Sequence, residues 1–278
     1  MKTVKIASVN FGGGTGKTTT QFWFAKYLAQ REVETLVVDT DPQGCLTALL
    51  LNIPGTKMVE DVLQTKTLAN VLEHNMALSD MVQPATFSNK IHVAGADKYL
   101  VATMGRLTSV PGNNLFLGKA LKREAELDCQ ITLIDSAPDA DMMTSNVLYA
   151  ADYVIIPATP ETKSVRGILT VMEMVEITRN ERLENSDGVD NGPHILGVVI
   201  CDVGRNSGHS EFVDQIVSIA AKIADSNGLE DDLYMQDQGV PVRGVMGVIP
   251  RYESKKASND LWLAYVPTCA RIYEAAEL

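Results

Sequence analysis

Short runs of apolar, β-branched residues recur along this chain, each separated from the next by a stretch long enough for a helix. The first is Lys2 to Asn10, where Val4, Ile6 and Val9 have the character of a buried central strand. A helix is predicted from Lys17 to Gln30, with Phe22, Ala25, Tyr27 and Leu28 at helical spacings. Further strands are predicted at Thr35 to Asp39, Ile91 to Ala94, Ile131 to Asp135, Tyr153 to Pro157 and Ile195 to Cys201. This alternation specifies an α/β fold: a mostly parallel, twisted sheet flanked by helices on both faces. The pattern weakens between Thr40 and Lys90, where apolar clusters at Leu46 to Leu51 and Val59 to Leu63 predict helices joined by turns near Pro54-Gly55. Glu184 to Pro193 is polar and rich in Asn, Asp and Gly, which predicts an exposed loop before the strand at Ile195.

At 278 residues with 45% hydrophobic content, residues 1–278 are expected to bury one core as a single domain. The net charge of -11 excludes a surface that is basic all over, so any nucleic-acid contact must come from a local patch. The four cysteines, Cys45, Cys129, Cys201 and Cys269, contain no Cys-x-x-Cys pair and are expected to be buried reduced thiols. Met1 runs into Lys2, Thr3 and Val4 with no charged-then-apolar leader, and no apolar run is long enough to span a bilayer, so a cytoplasmic location is expected.

Chemistry enters at Gly12-Gly13-Gly14-Thr15-Gly16-Lys17-Thr18-Thr19, between the first strand and the first helix. Glycines there let backbone N–H groups wrap phosphate oxygens while the helix N-terminus points at them. Lys17 would contact the β- and γ-phosphates and the Thr18 hydroxyl would ligate Mg2+, making this the loop of a phosphate-loop NTPase. Asp135, ending a buried strand, suits a magnesium-water contact. The usual pattern asks for glycine six residues before the lysine, and Phe11 stands there.

That departure resembles the deviant Walker-A loop, Lys-Gly-Gly-x-Gly-Lys-Thr, of the ParA/MinD family. Val38-Asp39-Thr40-Asp41-Pro42-Gln43-Gly44 is similar to the family's first switch, and Ile131 to Pro138 to its second acidic motif. Ala151 to Pro157 resembles its next strand, and Val248-Ile249-Pro250-Arg251 its segment beside the nucleotide base. The resemblance implies an ATPase with ATP and Mg2+ as ligands. It implies that Asp41 orients or deprotonates the attacking water and also serves the metal, with Asp39 holding the switch and magnesium shell. The alternative for both carboxylates is simple capping of the following turn. Gly13, Gly14, Thr15, Gly16, Lys17, Thr18 and Thr19 would bind the phosphates. Pro250 and Arg251 would lie against adenine, with Asp202 or Arg205 assisting.

One family landmark is missing. The signature lysine that reaches the partner's phosphates would stand at position 12, which is Gly12. Lys163, then Arg166, are the candidate replacements, on the carboxyl-end loop after the strand ending at Pro157; equally, they are two solvated charges at a helix start. A carboxysome-positioning subgroup of the family resembles this sequence in lacking that lysine.

The resemblance implies a partitioning or positioning switch: an ATP-dependent homodimer that binds DNA non-specifically and meets a cargo adaptor of ParB/McdB type. Candidate DNA contacts are Arg243, Arg251, Lys255, Lys256 and Arg271. ATP binding would then put the protein on the nucleoid. A MinD-like membrane regulator is the first alternative, but the stretch from Ile272 to Leu278 carries acid and no lysine or arginine, so anionic lipid should repel it. A second is an ATP-dependent synthetase on the same scaffold, separable by product analysis. An iron–sulfur ATPase needs a cysteine pair after the second acidic motif, which Cys201 and Cys269 do not provide.

Overall fold

The computed structural model describes residues 3–64, 66–123, 127–139, 141–186, 188–190, 192–204, 210–227, 235–237, 240–242, 244–251 and 258–276. In chain order its elements are β1 (Val4–Ser8), α1 (Lys17–Gln30), β2 (Thr35–Asp39), α2 (Cys45–Leu50), α3 (Val59–Leu63), α4 (Leu68–His74), β3 (Gln83–Ala85) and β4 (Ser88–Ala94). Then come α5 (Tyr99–Leu107), α6 (Phe116–Lys122), β5 (Ile131–Asp135), α7 (Met142–Ala150), β6 (Tyr153–Ala158) and α8 (Thr162–Asn185). The last are β7 (His194–Val203), α9 (Ser210–Asn227), β8 (Met235–Asp237), β9 (Val240–Val242), β10 (Val245–Pro250) and α10 (Ser258–Ala275). The α/β class expected from the sequence, a mostly parallel sheet flanked by helices, is the one observed.

Contacts divide the chain into two compact units. The first, Met1–Ser8 with Ala25–Asp152, has strand order β1-β5-β2-β4-β3. Parallel register sets Ser8 beside Asp135 and Asp39 beside Asp135, so two carboxylates end adjacent strands at the same level. Every residue of β2 and β5 is buried, which is why both read as continuous apolar runs rather than alternating ones. Within this unit β3 runs antiparallel, as a hairpin with β4. Its three residues, Gln83-Pro84-Ala85, show neither alternation nor an apolar run, so their local pattern does not predict a strand.

The second unit, Val9–Phe24 with Tyr153–Leu278, has the parallel strands β10-β7-β6 and a separate antiparallel pair, β8-β9. Trp23 packs 5.7 Å from Trp262 and 6.1 Å from Tyr265, centroid to centroid, fastening α10 to α1. Tyr265 is 1% exposed, and its hydroxyl lies near Thr20 Oγ1 and Cys201 Sγ. A fully buried large side chain of this kind contributes about 1.5–3 kcal/mol. Burial corrects one expectation: Cys129, Cys201 and Cys269 are buried, but Cys45 is exposed, because it begins α2 at the outer end of the first acidic motif. Among the described residues no helix is long and apolar enough to cross a membrane.

Candidate functional site

β1 ends at Ser8, and the chain enters the glycine-rich loop through Val9, whose N–H donates to Ile155 O at 3.1 Å. The loop closes on α1, which starts at Lys17 and carries no acidic residue in its first turn. Its N-terminal amides and dipole are therefore left to favour an anion. Lys17 is 7% exposed, and its Nζ donates to Asn10 O at 3.0 Å and Gly12 O at 3.1 Å. The ammonium is thus fixed among loop carbonyls instead of extended into solvent. Gly16 has φ +98°, and a Cβ built on it would stand 2.6 Å from Cys201 Sγ, so both dihedral and space demand glycine there. Gly13 and Gly14 have nothing within 4 Å of such a Cβ; they face open space, as a cradle for a ligand requires.

Beneath the loop lies a side chain the sequence reading passed over. Asn10 is fully buried, and its Nδ2 donates to Pro157 O at 2.7 Å and to Ser164 Oγ at 3.4 Å. Ser164 Oγ also accepts from Thr159 N at 2.9 Å. The residue whose carbonyl holds Lys17 therefore also ties the loop to the first turn of α8. Gly167 makes the approach possible, since a Cβ there would fall 2.0 Å from Asn10 Oδ1 and 3.0 Å from Phe11 O. The signal in the sequence was a polar residue closing an apolar strand.

The acidic motifs gather in the first unit. Asp39 is fully buried: one oxygen accepts from Asp41 N at 3.1 Å, the other from Thr47 N at 2.9 Å and Thr47 Oγ1 at 2.7 Å. Burial pushes its carboxyl up to about 6 against the opposing pull of those hydrogen bonds. These contacts hold the switch backbone and α2. Asp41, partly exposed, accepts from Gln43 N at 2.9 Å, while Asp135 is buried and its carbonyl accepts from Thr40 N at 3.0 Å and Thr40 Oγ1 at 2.6 Å. Burial, then the charges of Asp41, Asp39 and Asp135, push the Cys45 thiol up. Among the described residues no group of three or more His, Cys, Asp and Glu forms a metal cage. Magnesium does not need one, because it keeps waters and binds through one or two carboxylates plus phosphate oxygens. Carboxylates of that type are what Asp41 and Asp135 offer within the first unit.

The remaining candidates are scattered. Pro250 ends β10, and Arg251 forms a two-pronged pair with Asp202 at 2.9 and 2.7 Å. Lys163, in the exposed first turn of α8, stands 4.0 Å from Glu161, and Arg166 is exposed one turn on. Thr15 is buried and its hydroxyl donates to Gly12 O at 3.4 Å, while Thr18 and Thr19 are partly exposed in the first turn of α1. Arg271 donates to Met246 O at 3.1 Å and is half-buried, which lowers its pKa. Arg243, Lys255, Lys256 and Arg205 lie outside the described residues.

Residues 2–187 match the model of a protein family described as an AAA domain. The chain is 32% identical over 185 residues to the chromosome-partitioning ATPase Soj of Thermus thermophilus, a match covering 66% of each protein. It is 31% identical over 176 residues to the maintenance of carboxysome distribution protein A of Gloeothece citriformis, covering 63% of this chain and 64% of that one. The matched segment thus spans about two thirds of these relatives' length. In fold, the ATP complex of an McdA variant from Cyanothece superposes with TM-score 0.73 at 20% identity, covering 99% of this chain and 97% of that one. With two thirds of its length matched by that family's model, the chain belongs to the AAA-domain family, and within it to the ParA-like partitioning and positioning proteins.

Proposed function

We propose that this protein is a magnesium-dependent ATPase whose ATP-bound form is a homodimer, and that it positions or partitions a cargo by binding DNA and meeting an adaptor. The observation that carries the reading is the buried Lys17 ammonium, held by Asn10 and Gly12 carbonyls at a helix start free of acid. Lys17 and the loop amides of Gly13 to Thr19 take the β- and γ-phosphates and neutralise charge on the transferring phosphoryl. The Thr18 hydroxyl and the carboxylates of Asp135 and Asp41 would hold Mg2+, which would supply neutralisation of the phosphate charge. Asp41 orients the attacking water. Asp39 keeps Asp41 in place through the 3.1 Å bond to its backbone.

Pro250 and Arg251 border the adenine. Lys163, or Arg166 after it, supplies across the dimer the cation that Gly12 cannot. Arg243, Lys255, Lys256 and Arg271 are the DNA candidates, and a nucleoid location follows for the ATP form. Soj is by name a chromosome-partitioning ATPase, and the Gloeothece relative maintains carboxysome distribution; both names support this class of function.

Phosphate release from ATP, with and without EDTA, tests the reading. Hydrolysis that needs magnesium, needs no acid co-substrate and falls about 100-fold in Lys17→Ala is expected from loss of one preorganised charge contact. Turnover that survives Lys17→Ala refutes it. Light scattering with ATP and with ADP reads the dimer, and a Lys163→Ala variant that dimerises and hydrolyses like the parent removes that residue from the proposal.

A further inference from the structure

Away from the phosphate loop, a cleft of about 510 Å³ opens between α4 and α6, lined by Leu72, Asn75, Phe116, Lys119, Lys122 and Arg123. Its volume lies in the range of ligand pockets. The floor is apolar: Leu72 is 7% exposed and the Phe116 ring is partly exposed. Its rim is cationic. Lys119 Nζ stands 5.9 Å from the Phe116 centroid, and Arg123 donates to the Asn75 side-chain oxygen at the left-handed cap of α4.

Several other cations on this acidic chain are paired with carboxylates: Lys5 with Asp152, Lys90 with Glu34, Lys98 with Glu60, Arg106 with Glu73 and Arg182 with Asp190. Among the described residues Lys119, Lys122 and Arg123 have no carboxylate partner. A chain of net charge -11 thus places three positive side chains within five residues, around an apolar hollow. Cations at a helix C-terminus are favoured by the dipole, which accounts for their sign but not for the hollow they surround.

We propose that this cleft docks an acidic segment of a partner protein, with a leucine or phenylalanine side chain in the hollow and flanking carboxylates on Lys119, Lys122 and Arg123. Spacing favours a peptide over one compact anion. Positions three and four apart on a helix hold their side chains roughly 5–6 Å apart, and alternate carboxylates of an extended chain stand roughly 7 Å apart. Duplex DNA would satisfy the charges but has no apolar group to bury against Leu72 and Phe116. The proposal does not depend on the ATPase reading, because no cleft residue belongs to the phosphate loop or the acidic motifs.

Fluorescence anisotropy of the full chain with a short labelled peptide, alternating Asp or Glu with Leu or Phe, tests it. Expected is binding that weakens with salt, is unchanged by ATP or ADP, and falls about 30-fold in Lys119→Glu/Lys122→Glu as two attractions become repulsions. Phe116→Ala should weaken it about 10-fold at unchanged salt dependence, since that change removes only apolar contact. ATP hydrolysis and thermal midpoint of the double variant should match the parent, which separates failure here from failure of the ATPase reading. The proposal is overturned if the peptide does not bind. It is equally overturned if random duplex DNA binds instead and is lost in the same variants, or if tripolyphosphate at matched ionic strength displaces the peptide as well as unlabelled peptide does.

Discussion

Replacing Gly16 by alanine isolates how the phosphate loop depends on its support. At φ +98° an L side chain costs about 1–3 kcal/mol, and the new Cβ would lie 2.6 Å from Cys201 Sγ and 3.1 Å from Cys201 Cβ. Overpacking of that kind adds about 1–3 kcal/mol, giving about 2–6 kcal/mol in all. Cys201 sits in β7, a strand paired on both sides, so the loop yields before the strand does. The cost should therefore fall mainly on ATP affinity, which is expected to drop at least about 30-fold, measured by calorimetry with magnesium and ATP. Adding Cys201→Ala should restore part of that loss, because it removes the 2.6 Å collision with Sγ and leaves the 3.1 Å approach to Cβ and the dihedral strain. Gly16→Ala binding ATP as the parent does, or Cys201→Ala failing to rescue it, would refute the account of why the loop has this shape.

Gly167→Ala should force α8 off Asn10 and lower the thermal midpoint by the equivalent of about 1–3 kcal/mol, and Asn10→Ala in the same chain should recover part of it. Burial raises the Asp39 carboxyl from 3.8 to about 6, so the folded state holds its proton more tightly than the unfolded chain. Its stabilising contribution is then full below about pH 4 and lost as pH rises through 6, by about 3 kcal/mol. In EDTA without nucleotide, the advantage in thermal midpoint of the parent over Asp39→Asn should shrink across that window; parallel curves would contradict this. Cys45 is the exposed thiol of the four, so native-state alkylation should modify it first and Cys45→Ser should abolish the fast phase in mass spectrometry. Its thiol is raised by burial and by Asp41, Asp39 and Asp135, and the fast phase should accelerate as pH increases.

Local patterns carried much of this protein because its central strands are buried on both faces. Thr35–Asp39 and Ile131–Asp135 are legible as strands since a strand covered on both sides must be apolar throughout, and the glycine-lysine-threonine loop is legible because few other residues can follow its backbone. The hairpin strand Gln83–Ala85 was not, since its pairing with β4 supplies what three residues cannot encode. The exposure of Cys45 likewise depends on where α2 begins, not on the residue type.

What the sequence determined by itself was the class of fold and the identity of the phosphate loop, both set by short-range periodicity and the dihedral limits of glycine. Tertiary structure alone decided which groups hold that loop. Asn10, Ser164 and Gly167 come together across more than 150 positions, and Gly16 meets Cys201 only because β7 passes beside it. The same holds for the cationic cleft: α6 supplies Lys119 and Lys122, but the apolar floor is shared with α4, and no local spacing records that two helices will face each other.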